Sequence, residues 1–148
     1  VHLNQFSKVP DNWCDVDLAR KWSEIRDIRK AVTGALEIER SEKRMGSSLL
    51  ASPTVYLNEE KIALLNNLDC EEIFITSGAT LKLEPPPKDA FCLDEIEGVG
   101  VIVNEAKGNK CIRCYKISSE VGTIKLHEEL CNRCADAVDY FVRNEVKS

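Results

Sequence analysis

Two cysteine pairs near the end of the chain, Cys111-Ile112-Arg113-Cys114 and Cys131-Asn132-Arg133-Cys134, are separated by sixteen residues. A C-x-x-C turn sends two sulfurs to the same side. Two such turns facing each other offer four thiolates at the corners of a tetrahedron, the arrangement zinc takes in closed structural sites. The doubled motif at this spacing therefore reads as a four-cysteine zinc site built from Cys111, Cys114, Cys131 and Cys134, holding one structural ion. A redox dithiol or a pair of disulfides are the other uses of such turns. A thioredoxin-like motif, however, has one C-x-x-C beside a βαβ pattern, not two.

The surroundings of these turns are basic. Lys107, Lys110, Arg113, Lys116, Lys125 and Arg133 lie in the stretch, against the acids Glu120, Glu128 and Glu129. Four thiolates around one zinc carry a formal charge of about −2, so part of this cationic charge is expected as its balance. A face for phosphate is the alternative use, and local composition leaves the two open. The whole chain has a net charge of −5, with 30% of residues charged, which argues against an electrostatic grip on nucleic acid by the molecule as a whole.

Four cysteines on zinc leave Cys14, Cys70 and Cys92 of the seven, an odd remainder that suits a reducing, cytoplasmic setting better than a secreted one. No apolar run is long enough to span a bilayer, and no secretory leader is recognisable, so no membrane association is expected. The chain starts at Val1, not at methionine, as a processed piece or a segment of something larger would. Two histidines far apart, no glycine-rich phosphate cradle, no Ser-His-Asp set and scattered carboxylates give no acid, base or nucleophile to choose, so no catalysis by this chain alone is expected.

The elements that must position the cysteines follow from periodicity. Trp22, Ile25, Ile28, Val32, Ala35 and Leu36 recur every three or four residues, which predicts a long amphipathic helix from about Asp15 to Met45, with Asp15 and Asp17 at its start and Gly46 placed to stop it. Its polar face mixes cations such as Arg26, Arg29 and Lys30 with Glu24 and Asp27, the pattern of a solvated face. Leu49–Leu57 reads as a strand, with Pro53 tolerated only at an edge or strand end. A short helix over Glu59–Leu68, a buried strand over Glu72–Thr76, a short strand at Leu81–Glu84 and a last strand at Val99–Val103 follow, with Pro85-Pro86-Pro87 as a stiff extended spacer. Leu130, Cys134, Ala137, Val138 and Phe141 mark a closing helix whose first turn holds Cys131 and Cys134, where free N–H groups favour thiolate. Trp13 and Trp22 read as core anchors, and His2 and His127 as surface residues.

Three separated stretches resemble one family. Ala35-Leu36-Glu37-Ile38-Glu39-Arg40-Ser41-Glu42-Lys43-Arg44-Met45-Gly46-Ser47-Ser48-Leu49 is similar to the ALE-x-x-R-x-x-K-x-I-G-S-S-L run near the carboxyl end of bacterial-type isoleucyl-tRNA synthetases. Lys110-Cys111-Ile112-Arg113-Cys114-Tyr115 with Leu130-Cys131-Asn132-Arg133-Cys134-Ala135-Asp136-Ala137-Val138 resembles the terminal zinc finger of that family, and Val1-His2-Leu3 its S-V-H-L link. Met45 stands where the family usually has isoleucine and Tyr115 where it usually has tryptophan. Tyr115 is expected as a lid over the metal knuckle.

The resemblance implies an α+β chain in three parts: residues 1–46 from the end of an anticodon-binding helical bundle, 47–104 as a small mixed α/β domain, and 105–148 as a four-cysteine zinc ribbon capped by a helix. It implies the carboxyl-terminal, tRNA-binding portion of an isoleucine–tRNA ligase, with isoleucine-accepting tRNA and the rest of the parent synthetase as partners. The parent would charge tRNA at the expense of ATP with H-I-G-H and K-M-S-K-S type motifs, and this sequence has neither. Lys110, Arg113, Lys116 and Arg133 are the candidates for contacts to the anticodon region. Two other classes are kept beside it: a DNA-binding finger resembling that of formamidopyrimidine-DNA glycosylases, whose amino-terminal proline and helix-two-turn-helix are missing here, and a zinc-stabilised protein-interaction module.

Overall fold

A computed structural model describes residues 7–145, so the expectations for Val1, His2 and Leu3 lie outside the described residues. The chain is α+β. The long helix α1 spans Val16–Ser41. Asp15 caps it, its side chain accepting the Leu18 N–H at 2.8 Å. The helix stops at Glu42, short of Gly46, because Lys43 takes a left-handed conformation at φ 57°. Arg44 then folds back to hold Glu39 with two hydrogen bonds of 2.6 and 2.8 Å.

A three-stranded sheet follows in the order β2-β1-β3, from β1 (Thr54–Leu57), β2 (Thr80–Lys82) and β3 (Val99–Ile102). Strand β1 runs parallel to β2 and antiparallel to β3, with Val55 opposite Leu81 on one side and Val101 on the other. The parallel pair needs a crossover. Helices α2 (Glu59–Leu65) and α3 (Cys70–Phe74) supply it. Pro53 is buried and directly precedes β1, where its missing N–H costs no ladder bond. The proline run crosses β3 so closely that a Cβ on Gly100 would sit 2.3 Å from Pro86 Cβ. Only a residue without a side chain lets them pass.

Two expectations fail here. Glu72–Thr76 is not a strand: helix α3 ends at Phe74, and Ile75 closes it at φ 56°. Asp69 accepts the Glu72 N–H at 3.2 Å, so a side-chain cap and two acidic residues in the first turn outweigh the strand preference of Ile73, Phe74 and Ile75. Trp13 and Trp22 are 74% and 38% exposed, so neither anchors the core. The core is instead Ile25, Ile28, Ala31, Val32, Ala35 and Leu36 of α1 packed with Val55, Leu57, Leu65, Phe74, Val99 and Val101. Burying each of its larger side chains contributes about 1.5–3 kcal/mol.

A second, separate cluster lies beyond the sheet: Cys111, Val121, Leu130, Cys131, Cys134 and Ala135, with Cys114, Ile124 and Val138 against it. Around it stand the two-stranded ribbon β4 (Asn109–Lys110) and β5 (Ile117–Ser118) and the closing helix α4 (Asn132–Glu145). At Gly108, with φ 129°, a Cβ would meet the Ser118 carbonyl carbon at 2.3 Å, so glycine is required where the chain enters the ribbon. Among the described residues no helix is long and apolar enough to cross a membrane.

Candidate metal centre and the cations around it

The four cysteines converge. The sulfurs of Cys111, Cys114, Cys131 and Cys134 all lie within 4.8 Å of one another, and three of the four residues are buried. Cys114 Sγ and Cys131 Sγ are 3.8 Å apart. A disulfide needs about 2.05 Å. A tetrahedron with Zn–S bonds of about 2.3 Å has sulfurs about 3.8 Å apart, so the observed separation fits a metal ion between the turns.

Backbone hydrogen bonds shape each turn. In the first, Tyr115 N–H donates to Cys111 O and Cys111 N–H to Lys116 O, both at 2.9 Å, and Ile112 N–H reaches Glu129 O at 3.1 Å. Closing this turn forces Tyr115 into the left-handed region at φ 64°, a position where a non-glycine residue costs roughly 1 kcal/mol or more. In the second, Cys131 immediately precedes α4 and Cys134 lies in its first turn. The Cys134 and Ala135 N–H groups donate to Cys131 O at 3.0 and 2.9 Å. Burial pushes the Cys111 thiol up, but the N–H groups of Cys114, Cys131 and Arg113 outweigh it and pull the thiol down to about 6. At Cys131 burial wins over the Cys134 N–H, and the neighbouring sulfurs add to it, holding the thiol up at about 12.

The four predicted cations divide into two kinds. Lys110 is exposed and rests over the Tyr115 ring, 4.8 Å from its centroid. Tyr115 is 55% exposed and is not part of the packed cluster, so it serves as a platform for Lys110 and not as a lid over the sulfurs. Arg113 is exposed and places Nη1 3.6 Å from Cys134 Sγ, with no carboxylate partner among the described residues. Lys116 and Arg133 both turn to Glu72 of α3, at 2.7 and 3.1 Å from the same Oε1. Lys116 has Glu71 at 3.8 Å as well and is only 18% exposed. The hydrogen bond and charge of Lys116, with Arg133 beside it, hold the Glu72 carboxyl below its ordinary range.

Sequence reasoning missed Glu72 and Ser77. Ser77 Oγ accepts the Ile117 N–H at 2.7 Å and donates to Leu49 O at 2.5 Å, tying β5 to the sheet unit. Asp69 followed three residues later by Glu72 is a helix-start signal, and it could have placed Glu72 on a helix. Nothing in the sequence pairs it with residues 44 and 61 positions away. His127 is half-buried, its Nε2 2.8 Å from Asp139 Oδ1, and so links the loop before Cys131 to α4; it is less exposed than expected.

No family model matches the chain. Isoleucine–tRNA ligase of Bartonella henselae is 45% identical over 139 residues, covering 93% of this chain. That of Rhodopseudomonas palustris is 44% identical over 142 residues, and that of Brucella abortus 42% over 139, each again over 93% of this chain. The chain belongs to the isoleucine–tRNA ligase family. It matches the carboxyl-terminal region of these ligases and spans 14% of the length of each relative.

Proposed function

We propose that this chain is the tRNA-binding carboxyl-terminal portion of an isoleucine–tRNA ligase and that its ribbon approaches the anticodon region of isoleucine-accepting tRNA. The observation that carries the reading is the group of cations on the four-cysteine turns, in a chain of this family: Lys110 and Arg113 are exposed and, among the described residues, pair with no carboxylate. With a net charge of −5 the molecule as a whole does not attract phosphate, so the contact would fall to a local group of cations such as this one.

Zinc, held by Cys111, Cys114, Cys131 and Cys134, would be structural. With all four positions taken by protein sulfur it keeps no open site, and it supplies folding energy, not Lewis-acid chemistry. The four side chains hold the two turns together, and the backbone then fixes where Lys110, Arg113 and Arg133 stand. Isoleucine activation with ATP and transfer to tRNA belong to the rest of the parent synthetase, whose cytoplasmic location this chain would share. The exposed Trp13, Val16, Leu18 and Trp22 at the amino-terminal end of α1 suit a contact with that remainder.

Titration of the zinc-loaded chain with isoleucine-accepting tRNA across a salt series tests the reading. A Lys110→Ala, Arg113→Ala variant should keep its zinc, bind more weakly and lower the log–log salt slope by roughly 0.7–0.9 for each phosphate no longer neutralised. Unchanged affinity and slope would leave these residues as charge balance for the metal and favour a protein-interaction module.

A further inference from the structure

The two hydrophobic clusters do not merge, and among the described residues the ribbon is tied to the sheet unit by side-chain hydrogen bonds and ion pairs. One link is Ser77, between Leu49 O and the Ile117 N–H. A second is Glu72, whose single Oε1 takes Lys116 Nζ at 2.7 Å and Arg133 Nη1 at 3.1 Å, with Glu71 adding a longer contact to Lys116. Lys116 lies two residues after Cys114, and Arg133 lies between Cys131 and Cys134. One carboxylate therefore grips both cysteine turns.

Its own mounting is stiff. Asp69 accepts the Glu72 N–H, and Phe74, two residues on, is 1% exposed in the main core. With Glu71 at 3.8 Å from Lys116, the two acids of α3 match the two cations in number. A cation matched in this way does not neutralise a phosphate, and so displaces none of the RNA's counterions, unless the pairing breaks first.

We propose that Glu72 is a positioning residue for tRNA: it locks the ribbon on the sheet unit through Lys116 and Arg133, withdraws those two cations from direct phosphate contact, and leaves Lys110 and Arg113 to face the RNA. This inference rests on the tRNA-binding reading above. Lys116 and Arg133 then act on tRNA affinity through orientation, and Lys110 and Arg113 through charge.

Glu72→Gln in the zinc-loaded chain tests it, with Glu60→Gln on α2 as a control of equal charge change. The Ile117 amide reports ribbon docking without any RNA, since its exchange requires the Ser77 contact to open. Glu72→Gln should keep one zinc per chain, speed Ile117 exchange by about threefold and weaken tRNA binding by about threefold at an unchanged salt slope, while Glu60→Gln changes neither. Lys116→Ala should copy Glu72→Gln, again with the slope unchanged. Tighter tRNA binding with a steeper slope in Glu72→Gln would make Glu72 an electrostatic brake and overturn the proposal, as would Ile117 exchange equal to that of Glu60→Gln. If the unaltered chain binds no tRNA, the tRNA-binding reading fails and the RNA half of this inference with it; the Ile117 exchange rate still decides whether Glu72 holds the ribbon.

Discussion

Replacing Cys134 by serine should unfold the ribbon and spare the sheet unit. Among the described residues, the buried members of the second cluster besides its cysteines are Val121, Leu130 and Ala135, with Ile124 and Val138 partly buried against them. At about 1.5–3 kcal/mol for each large aliphatic side chain, Val121 and Leu130 together supply roughly 3–6 kcal/mol. A structural four-thiolate zinc supplies about 10–16 kcal/mol of apparent binding energy that is also folding energy. Metal ligation therefore outweighs apolar packing in holding the ribbon. Helix α4 cannot replace it, because Tyr140, Phe141 and Val142 are 73%, 61% and 54% exposed and an isolated fourteen-residue helix is marginal in water. The twenty-six residues of α1 are held by the other cluster and should stay helical. Elemental analysis should find Cys134→Ser well below one zinc per chain. Ellipticity at 222 nm should fall by the share of α4, and amide protection should disappear from β4 through α4 and persist in β1 and β3. Full zinc stoichiometry with unchanged ellipticity would refute the reasoning.

Three further outcomes are expected. Phe74→Ala, at a site 1% exposed, should destabilise the sheet unit by about 3–5 kcal/mol in urea unfolding while leaving zinc stoichiometry intact, because Phe74 belongs to the other cluster. Gly108→Ala, which puts a Cβ 2.3 Å from Ser118 at φ 129°, should lower zinc affinity by roughly tenfold or more in competition with a chromophoric chelator; native affinity would contradict the ribbon pairing. Ligation requires thiolates. Cys111, drawn down to about 6, is already ionised at neutral pH, so zinc binding should release fewer than four protons there, with Cys131, held near 12, surrendering one of them. As pH falls through about 6 the Cys111 thiolate is protonated too, and affinity should drop most steeply below that point; calorimetry in buffers of different ionisation enthalpy reads both effects.

What could be read in the sequence was local and periodic. The face of α1 from Ile25 to Leu36 followed from its spacing, and the four-cysteine cluster from two C-x-x-C pairs, because each uses residues a few positions apart. Glu72–Thr76 went the wrong way because a short apolar run fits a buried strand and a buried helix equally, and the Asp69 cap decided it. Trp13 reads as a core anchor by residue type and Trp22 by its spacing with Ile25 and Ile28 as well, yet Trp13 lies in the short turn before α1 and Trp22 ahead of the buried stretch that begins at Ile25, and both are exposed. The stop of α1 at Lys43 and the turn at Tyr115 use left-handed non-glycine residues, which carry no composition signal. The grip of Glu72 on two residues so distant in sequence was illegible for a different reason: charged residues are interchangeable by pattern, and only the packing of α3 against the ribbon selects this one.

In the proposed role, zinc holds the small ribbon together so that its cations can meet tRNA. The most direct test is tRNA affinity of the same chain measured zinc-loaded, after removal of zinc by a chelator, and after zinc is restored. Binding should be salt-dependent in the loaded chain, fall away on chelation together with most of its slope, and recover with one equivalent of zinc. Equal affinity and slope with and without the metal would contradict that role for zinc.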